Sequence, residues 1–165
     1  MTNDRLLSVI LVLDNLRSMH NVGSLFRTAD AFGLECLYLC GITATPPHRE
    51  IHRTALGATE SVAWRHFGSA REAVQLLKEQ GYQIIAIEQT DKSIPLAIGG
   101  QHLKPRFALV FGNEVNGISG EVLEQADLVL EIPQFGIKHS LNVSVTAGIV
   151  IWELTRGRIE KSLKK

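Results

Sequence analysis

Arg27 and Asn21 lie in the segment NVGSLFRTAD (residues 21–30), where a polar start leads into an apolar helical pattern. At about 100° per residue, Arg27 falls roughly 140° from Val22 and projects away from the apolar stripe. A guanidinium so placed can grip a phosphate or ribose through two-pronged hydrogen bonds, with Asn21 beside it. The structural alternative is a surface Arg27 paired with Asp30, three residues on, and an Asn21 that only caps the helix. A second segment, LVFGNEVNGI (109–118), sets Gly112, Glu114 and Gly117 just beyond an apolar run. Glycine there lets backbone approach a ligand closely, while Glu114 either serves a site or holds neighbouring backbone N–H groups. The segment is no P-loop, since no Gly-Lys-Ser/Thr follows, and it lacks the G-x-G-x-x-G spacing of dinucleotide binders. In a third, IPQFGIKHSLNVS (132–144), Ser140, Asn142 and Ser144 crowd the head of an apolar helix. One of them suffices as N-cap, which leaves at least one for a ligand at the positive helix end.

Little else in the chain competes with these segments. The histidines (His20, His48, His52, His66, His102, His139) are scattered, and no HExxH occurs. Cys36 and Cys40, in CLYLC, would share one face of a strand, and no second Cys/His pair completes a metal site. Buried free thiols in a reducing cytoplasm, with no bound metal, are the expectation. Formal net charge is zero, from 17 basic and 17 acidic side chains, which argues mildly against a nucleic-acid partner. Two basic clusters soften that objection: one runs from His48 to Arg53, the other from Arg156 to Lys165. Either could equally be a solvated face. With 45% hydrophobic residues the chain can bury a core. No apolar run approaches the roughly 18 residues of a membrane span. The run SVILVL (8–13) is too short for a signal peptide and lacks a cleavage site.

The elements that must position the three segments alternate. Strands are predicted over 8–13, 34–40, 83–87, 107–111 and 128–132, each short and apolar. Helices are predicted from about 21 to 31 and over 49–58, 69–80, 119–125 and 141–156, with Ser119 as an N-cap and Gly33 and Gly81 as terminators. The stretch 91–105, with Pro95, Gly99 and Gly100, is expected to be an irregular surface loop. Strands apolar on both faces imply an α/β fold, a mostly parallel sheet flanked by helices. One domain over 1–165 is expected, with a short basic tail from about 157. The last helix has almost no polar stripe, so it needs cover on every side, and a subunit interface is the economical source.

Taken in order, the three segments resemble the SpoU family of the SPOUT superfamily of RNA methyltransferases. The resemblance is carried by NVGSLFRTADAFG (21–33), LVFGNEVNGIS (109–119) and IPQFGIKHSLNVSVTAG (132–148), with PPHREIHRTALGATE (46–60) between them. It implies an α/β fold with a C-terminal deep trefoil knot, and a homodimer formed through the first and last helices. The small residues Ser24, Thr28 and Ala31 would give the first helix its second face. It also implies S-adenosyl-L-methionine as cofactor, held by Gly112, Ile132, Pro133, Gln134, Gly136 and Leu141, with Thr90 a further contact. The reaction implied is methyl transfer to a ribose 2′-hydroxyl of tRNA or rRNA. The ending IWELTRG (151–157) resembles the subgroup acting on a D-loop guanosine of tRNA.

By position, Arg27 would activate the hydroxyl, Asn21, Ser140 and Asn142 would hold phosphate and ribose, and Glu114 would orient Arg27 or Asn142. Gln134 stands where many relatives have methionine, and Val115 where many have glycine. RNA would be gripped through the basic tail and the cluster around His48 and Arg53. The alternative is a non-catalytic RNA-binding or assembly protein that keeps the fold and cofactor pocket, against which the joint presence of Asn21, Arg27, Glu114, Ser140 and Asn142 speaks. A Rossmann-type nucleotide binder and a base methyltransferase of another SPOUT branch are further alternatives.

Overall fold

The computed structural model describes residues 8–138 and 140–165; His139, part of the third segment, lies outside the described residues. Seven strands form one sheet in the order β3-β2-β1-β6-β4-β7-β5, and each pairing is parallel. The centre is β1 (Ser8–Asp14) beside β6 (Arg106–Phe111), flanked by β2 (Cys36–Cys40) and β4 (Gln83–Ile87). Alternation across the pleat feeds two layers. Val9, Leu11 and Leu13 face a core closed by α1 (Met19–Ala31), α2 (Arg49–Ala55) and α7 (Val143–Leu163). Ile10 and Val12 face another, closed by α4 (Ala70–Glu79) and α6 (Gly120–Gln125). Cys36 and Cys40 are buried free thiols on that second side, and burial, with Asp14 and Glu72 adding to it, pushes the Cys40 thiol up to about 12.

Several boundaries differ from the sequence reading, each for a local reason. The helix expected over 49–58 breaks at Leu56, which is left-handed (φ 50°), and resumes as the single turn α3 (Ala58–Ser61). The edge strand β3 (Trp64–Phe67) was not anticipated, because Arg65 and His66 interrupt any apolar run. Charged residues suit an exposed edge, and Arg65 lies over the Tyr38 and Phe67 rings. The stretch expected as irregular loop contributes the opposite edge: β5 (Ile94–Pro95) pairs with β7 (Leu128–Glu131) and leads into the short α5 (Leu96–Gly99). Two residues including a proline carry no strand signature. Ser119 occupies the N-cap of α6 without a side-chain cap bond.

The last helix begins two residues later than expected and continues seven further, so the segment predicted as a basic tail from about 157 is helical to Leu163. Arg158 there closes on the carbonyls of Pro105 (2.8 Å) and Lys104 (3.0 Å) and covers the Phe107 ring. One face of α7 buries Ala147, Val150, Ile151 and Leu154. The other leaves Val145, Ile149 and Trp152 about half exposed, with Trp152 tilted against Phe32 of the α1 end. No helix among the described residues is long and apolar enough to cross a membrane.

Candidate active site

Strands β4, β6 and β7 run in one direction, so the segments that follow them emerge together. They do so beside the point where strand order reverses, where open α/β sheets bind ligands. A cavity of about 480 Å³ opens there, a size that suits a small molecule. Its apolar walls are Ile87, Phe111, Ile132, Leu141 and Val143, and its charged groups are Glu88, Glu114 and Glu131. No lysine, arginine or histidine among the described residues lines it.

The loop after β6 is fixed from several sides. A Cβ at Gly112 would collide with the Gly117 carbonyl and the Ile118 nitrogen, so only glycine lets the loop fold this tightly. Gly117 has φ +69°, and a Cβ there would strike the Glu88 carboxylate. Asn113 and Gly117 exchange backbone hydrogen bonds of 3.0 and 2.9 Å. The Asn113 amide donates to the Asn15 carbonyl (2.6 Å), while its oxygen accepts from the Val115 and Asn116 N–H groups. Buried Asp14 accepts from Ser119 N–H at 3.1 Å, and Glu88 Oε2 accepts from Ile118 N–H at 3.1 Å. Sequence reasoning passed over Asp14, Asn15, Glu88, Asn113 and Glu131. A usable signal was present: each is polar and stands at or just after the end of a buried strand.

Glu114 ties this loop to the start of α1. Its oxygens accept from the backbone N–H groups of Arg17 (2.9 Å) and Ser18 (3.1 Å) and from the Asn21 amide (3.5 Å). Burial pushes its carboxyl upward, but those N–H groups, with its own, and the Asn21 amide outweigh burial and hold it below the ordinary carboxylate range. The expectation that Glu114 orients Arg27 or Asn142 is not met by a direct contact with either. Glu114 reaches Asn142 through Asn21, whose Oδ1 accepts from the Asn142 amide at 3.2 Å. Asn21 is not the helix cap either: Ser18 is, and its hydroxyl accepts from Asn21 N–H. Asn142 is the N-cap of α7, accepting from the N–H groups of Ser144 (2.9 Å) and Val145 (3.4 Å). Ser140 is exposed on the cavity rim.

Arg27 stands two turns along α1, exposed and outside the cavity wall. The alternative pairing of Arg27 with Asp30 is not made; Asp30 instead accepts from the Ser61 hydroxyl at 2.7 Å. Among the described residues no carboxylate lies within ion-pair distance of Arg27. The helix it rides on is set by α2: a Cβ at Gly23 would strike Thr54 and Ile51, and the Thr54 hydroxyl donates to the His20 carbonyl at 2.9 Å. His20 also meets Glu50 at 2.8 Å. Of the expected cofactor contacts, Gly112, Ile132, Gln134 and Leu141 line the cavity. Pro133 lines a shallow apolar groove with Leu96, Ile149 and Trp152. Thr90 lies one residue past Gln89 of the wall, its N–H on Ser93 Oγ, and Gly136 stands exposed in the loop before α7. No group of His, Cys, Asp and Glu that could hold a metal ion occurs among the described residues.

An all-parallel α/β sheet with a ligand cavity between two motif loops defines the class. Within that class the chain belongs to the SpoU rRNA Methylase family, which matches residues 8–152. It is similar to the tRNA (guanosine(18)-2′-O)-methyltransferase of Aquifex aeolicus, at 36% identity over 94% of this chain and 72% of that protein. It is 33% identical to the 23S rRNA (guanosine-2′-O-)-methyltransferase RlmB of Neisseria meningitidis serogroup B, over 94% of this chain. The chain spans only 61% of that relative's length. Among solved structures, the A. aeolicus TrmH/SpoU tRNA modifying enzyme superposes with TM-score 0.82 at 31% identity, covering 94% of this chain and 77% of that one. The AdoMet-bound rRNA methyltransferase from Sinorhizobium meliloti gives TM-score 0.83 at 26% identity, over 91% of this chain and 56% of that one.

Proposed function

We propose that this protein methylates a ribose 2′-hydroxyl of tRNA or rRNA, a tRNA D-loop guanosine being favoured, with S-adenosyl-L-methionine as donor. The observation that carries this reading is the hydrogen-bonded chain Glu114–Asn21–Asn142. It joins one residue from each family segment at the rim of a cavity whose charged groups are all acidic. Such a cavity disfavours phosphate, so a dinucleotide or nucleoside triphosphate is a poor match, whereas a nucleoside thioether or sulfonium fits. Gly112, Ile132, Gln134 and Leu141 would hold the cofactor, with Thr90, Pro133 and Gly136 contributing where their loops close on it. The bound cofactor supplies a methyl group already activated on sulfur. The names of the relatives, a tRNA and a 23S rRNA guanosine 2′-O-methyltransferase, support guanosine as the nucleotide.

The protein's own task is to position the ribose and ease loss of its 2′-proton. A guanidinium is a poor base, with pKa above about 12. Arg27, free of an internal carboxylate partner, instead pairs with the RNA phosphate next to the reacting hydroxyl. Together they polarise that hydroxyl and stabilise the developing alkoxide. Asn21, Ser140 and Asn142 hold phosphate and ribose, and Glu114 fixes Asn21 for that role. The half-exposed apolar face of α7, beside the small residues of α1, supports a homodimer through those helices. Gly112 to Val115 and Gly117 from one loop, and Ile132, Gln134, Leu141 and Asn142 from the other, line one cavity, which supports the C-terminal knot as their common frame. Two buried free thiols support a cytoplasmic setting. Arg27→Ala is expected to lower kcat for methyl transfer by about 10²- to 10³-fold, with S-adenosylhomocysteine affinity unchanged within about twofold. Near-wild-type turnover in that variant would overturn the assignment of Arg27.

A further inference from the structure

Glu88 and Glu131 are carboxylates on the cavity wall that the reading above leaves without a role. The β4–β7 ladder runs Ile85 with Leu128, Ala86 with Val129 and Ile87 with Leu130. Glu88 N–H then donates to the Leu130 carbonyl at 3.1 Å, so Glu88 and Glu131 take the next position of the same register. Their side chains emerge next to each other from the carboxyl ends of two neighbouring parallel strands, into one cavity. Like charges on adjacent strands oppose one another. Neither has an ion-pair partner among the described residues. Glu88 is half occupied: Oε2 accepts from Ile118 N–H at 3.1 Å and Oε1 from Gln89 N–H at 3.2 Å, one bond to each oxygen. Each carboxylate oxygen can accept twice. Glu131 accepts no hydrogen bond from the described residues.

The two carboxylates thus keep acceptor capacity that the protein itself does not fill, one further bond on each Glu88 oxygen and all of Glu131. A ligand that carries two neighbouring donors matches them. We infer that Glu88 and Glu131 read the vicinal 2′- and 3′-hydroxyls of the cofactor's own ribose, Glu131 as the principal acceptor and Glu88 as its neighbour. An acidic side chain at a strand end is the usual reader of a ribose hydroxyl in α/β nucleotide sites. A hydroxyl donating to a carboxylate makes a charge-assisted bond, about twice as strong as a neutral one. The inference rests on the cofactor assignment above and adds the residues that select for it. It makes the pair binding residues whose contribution is to affinity and selectivity rather than to the methyl transfer step.

The test is calorimetric and needs no turnover. S-Adenosylhomocysteine and its 2′-deoxy and 3′-deoxy counterparts are titrated into the whole chain as wild type, Glu131→Met and Glu131→Gln, with folding checked by thermal melting. In the wild type, loss of one hydroxyl is expected to weaken binding about 10- to 100-fold, as a charge-assisted bond would. In Glu131→Met the same deletion should cost less than about threefold, because the acceptor is gone, and Glu131→Gln, which keeps an oxygen, should fall between. Equal affinity of wild type for parent and deoxy compounds would overturn the inference while leaving the cofactor assignment intact. So would an unchanged hydroxyl penalty in Glu131→Met, even where overall affinity falls and becomes less salt-sensitive, since that would assign the pair to the ligand's amine. Failure of the wild type to bind S-adenosylhomocysteine at all would overturn the cofactor assignment, and this inference with it.

Discussion

Glu114 does its work by accepting hydrogen bonds, which it can do fully only when ionised. The N–H groups of Arg17 and Ser18 and the Asn21 amide favour that charged form in the folded chain, so its folded pKa lies below the unfolded value. The sign follows by linkage: the stabilisation is present above about pH 4.3, the ordinary glutamate value, and is lost as pH falls through the lower folded value. Glu114→Gln should therefore melt below the wild type at pH 6, with the gap narrowing as pH falls below about 4.3 and through the lower folded value. A gap that is constant from pH 6 to 3, followed by differential scanning calorimetry, would contradict this account. At this scale the sequence was informative about identity and less so about wiring. Arg27, Asn21, Glu114, Ser140 and Asn142 were each legible as polar groups at element ends. That Glu114 meets Asn21, 93 residues away, was not, because the contact depends on β1 and β6 lying side by side.

The elements that build the site are loops whose shapes depend on glycine. At Gly112 a side chain would meet the backbone of residues 117 and 118, and relief of that clash would have to move the cavity wall itself. Overpacking of this kind costs about 1–3 kcal/mol. Gly112→Ala is expected to weaken S-adenosylhomocysteine binding about 10- to 100-fold in calorimetry, and to lower the melting temperature by about 2–4 °C for each kcal/mol lost. Unaltered binding would mean that the loop does not form the ligand wall. The interior strands β1, β2, β4 and β6 were readable because each is a short apolar run buried on both faces, and β7 because Leu128, Val129 and Leu130 form an apolar run even though only Leu130 is fully buried. The edges β3 and β5 were not, since an edge tolerates Arg65, His66 and Pro95 where the interior does not. The length of α7 was underestimated for a similar reason: its last two turns are polar and carry no apolar period, yet Arg158 anchors them to the carbonyls of Lys104 and Pro105.

At the scale of the whole molecule, one chain leaves α7 half covered. Trp152, Ile149 and Val145 form the uncovered strip, and Trp152 is the largest side chain in it. If a second copy covers that strip, Trp152→Glu removes an aromatic anchor and places a charge in its position. Dimer dissociation should then rise by at least about thirtyfold, read by sedimentation equilibrium. An unchanged association constant would place any interface elsewhere. The apolar circumference of this helix was evident in the sequence, and the fold shows which half the chain itself buries. The central claim remains a chemical one, and it is tested most directly by the product. Whole chain, S-adenosylmethionine carrying a labelled methyl group, and unmodified tRNA and rRNA are incubated, and the RNA is digested to nucleosides. The account predicts label in a 2′-O-methylnucleoside, guanosine above the others; label confined to a base, or none in either RNA from protein that binds the cofactor, would contradict it.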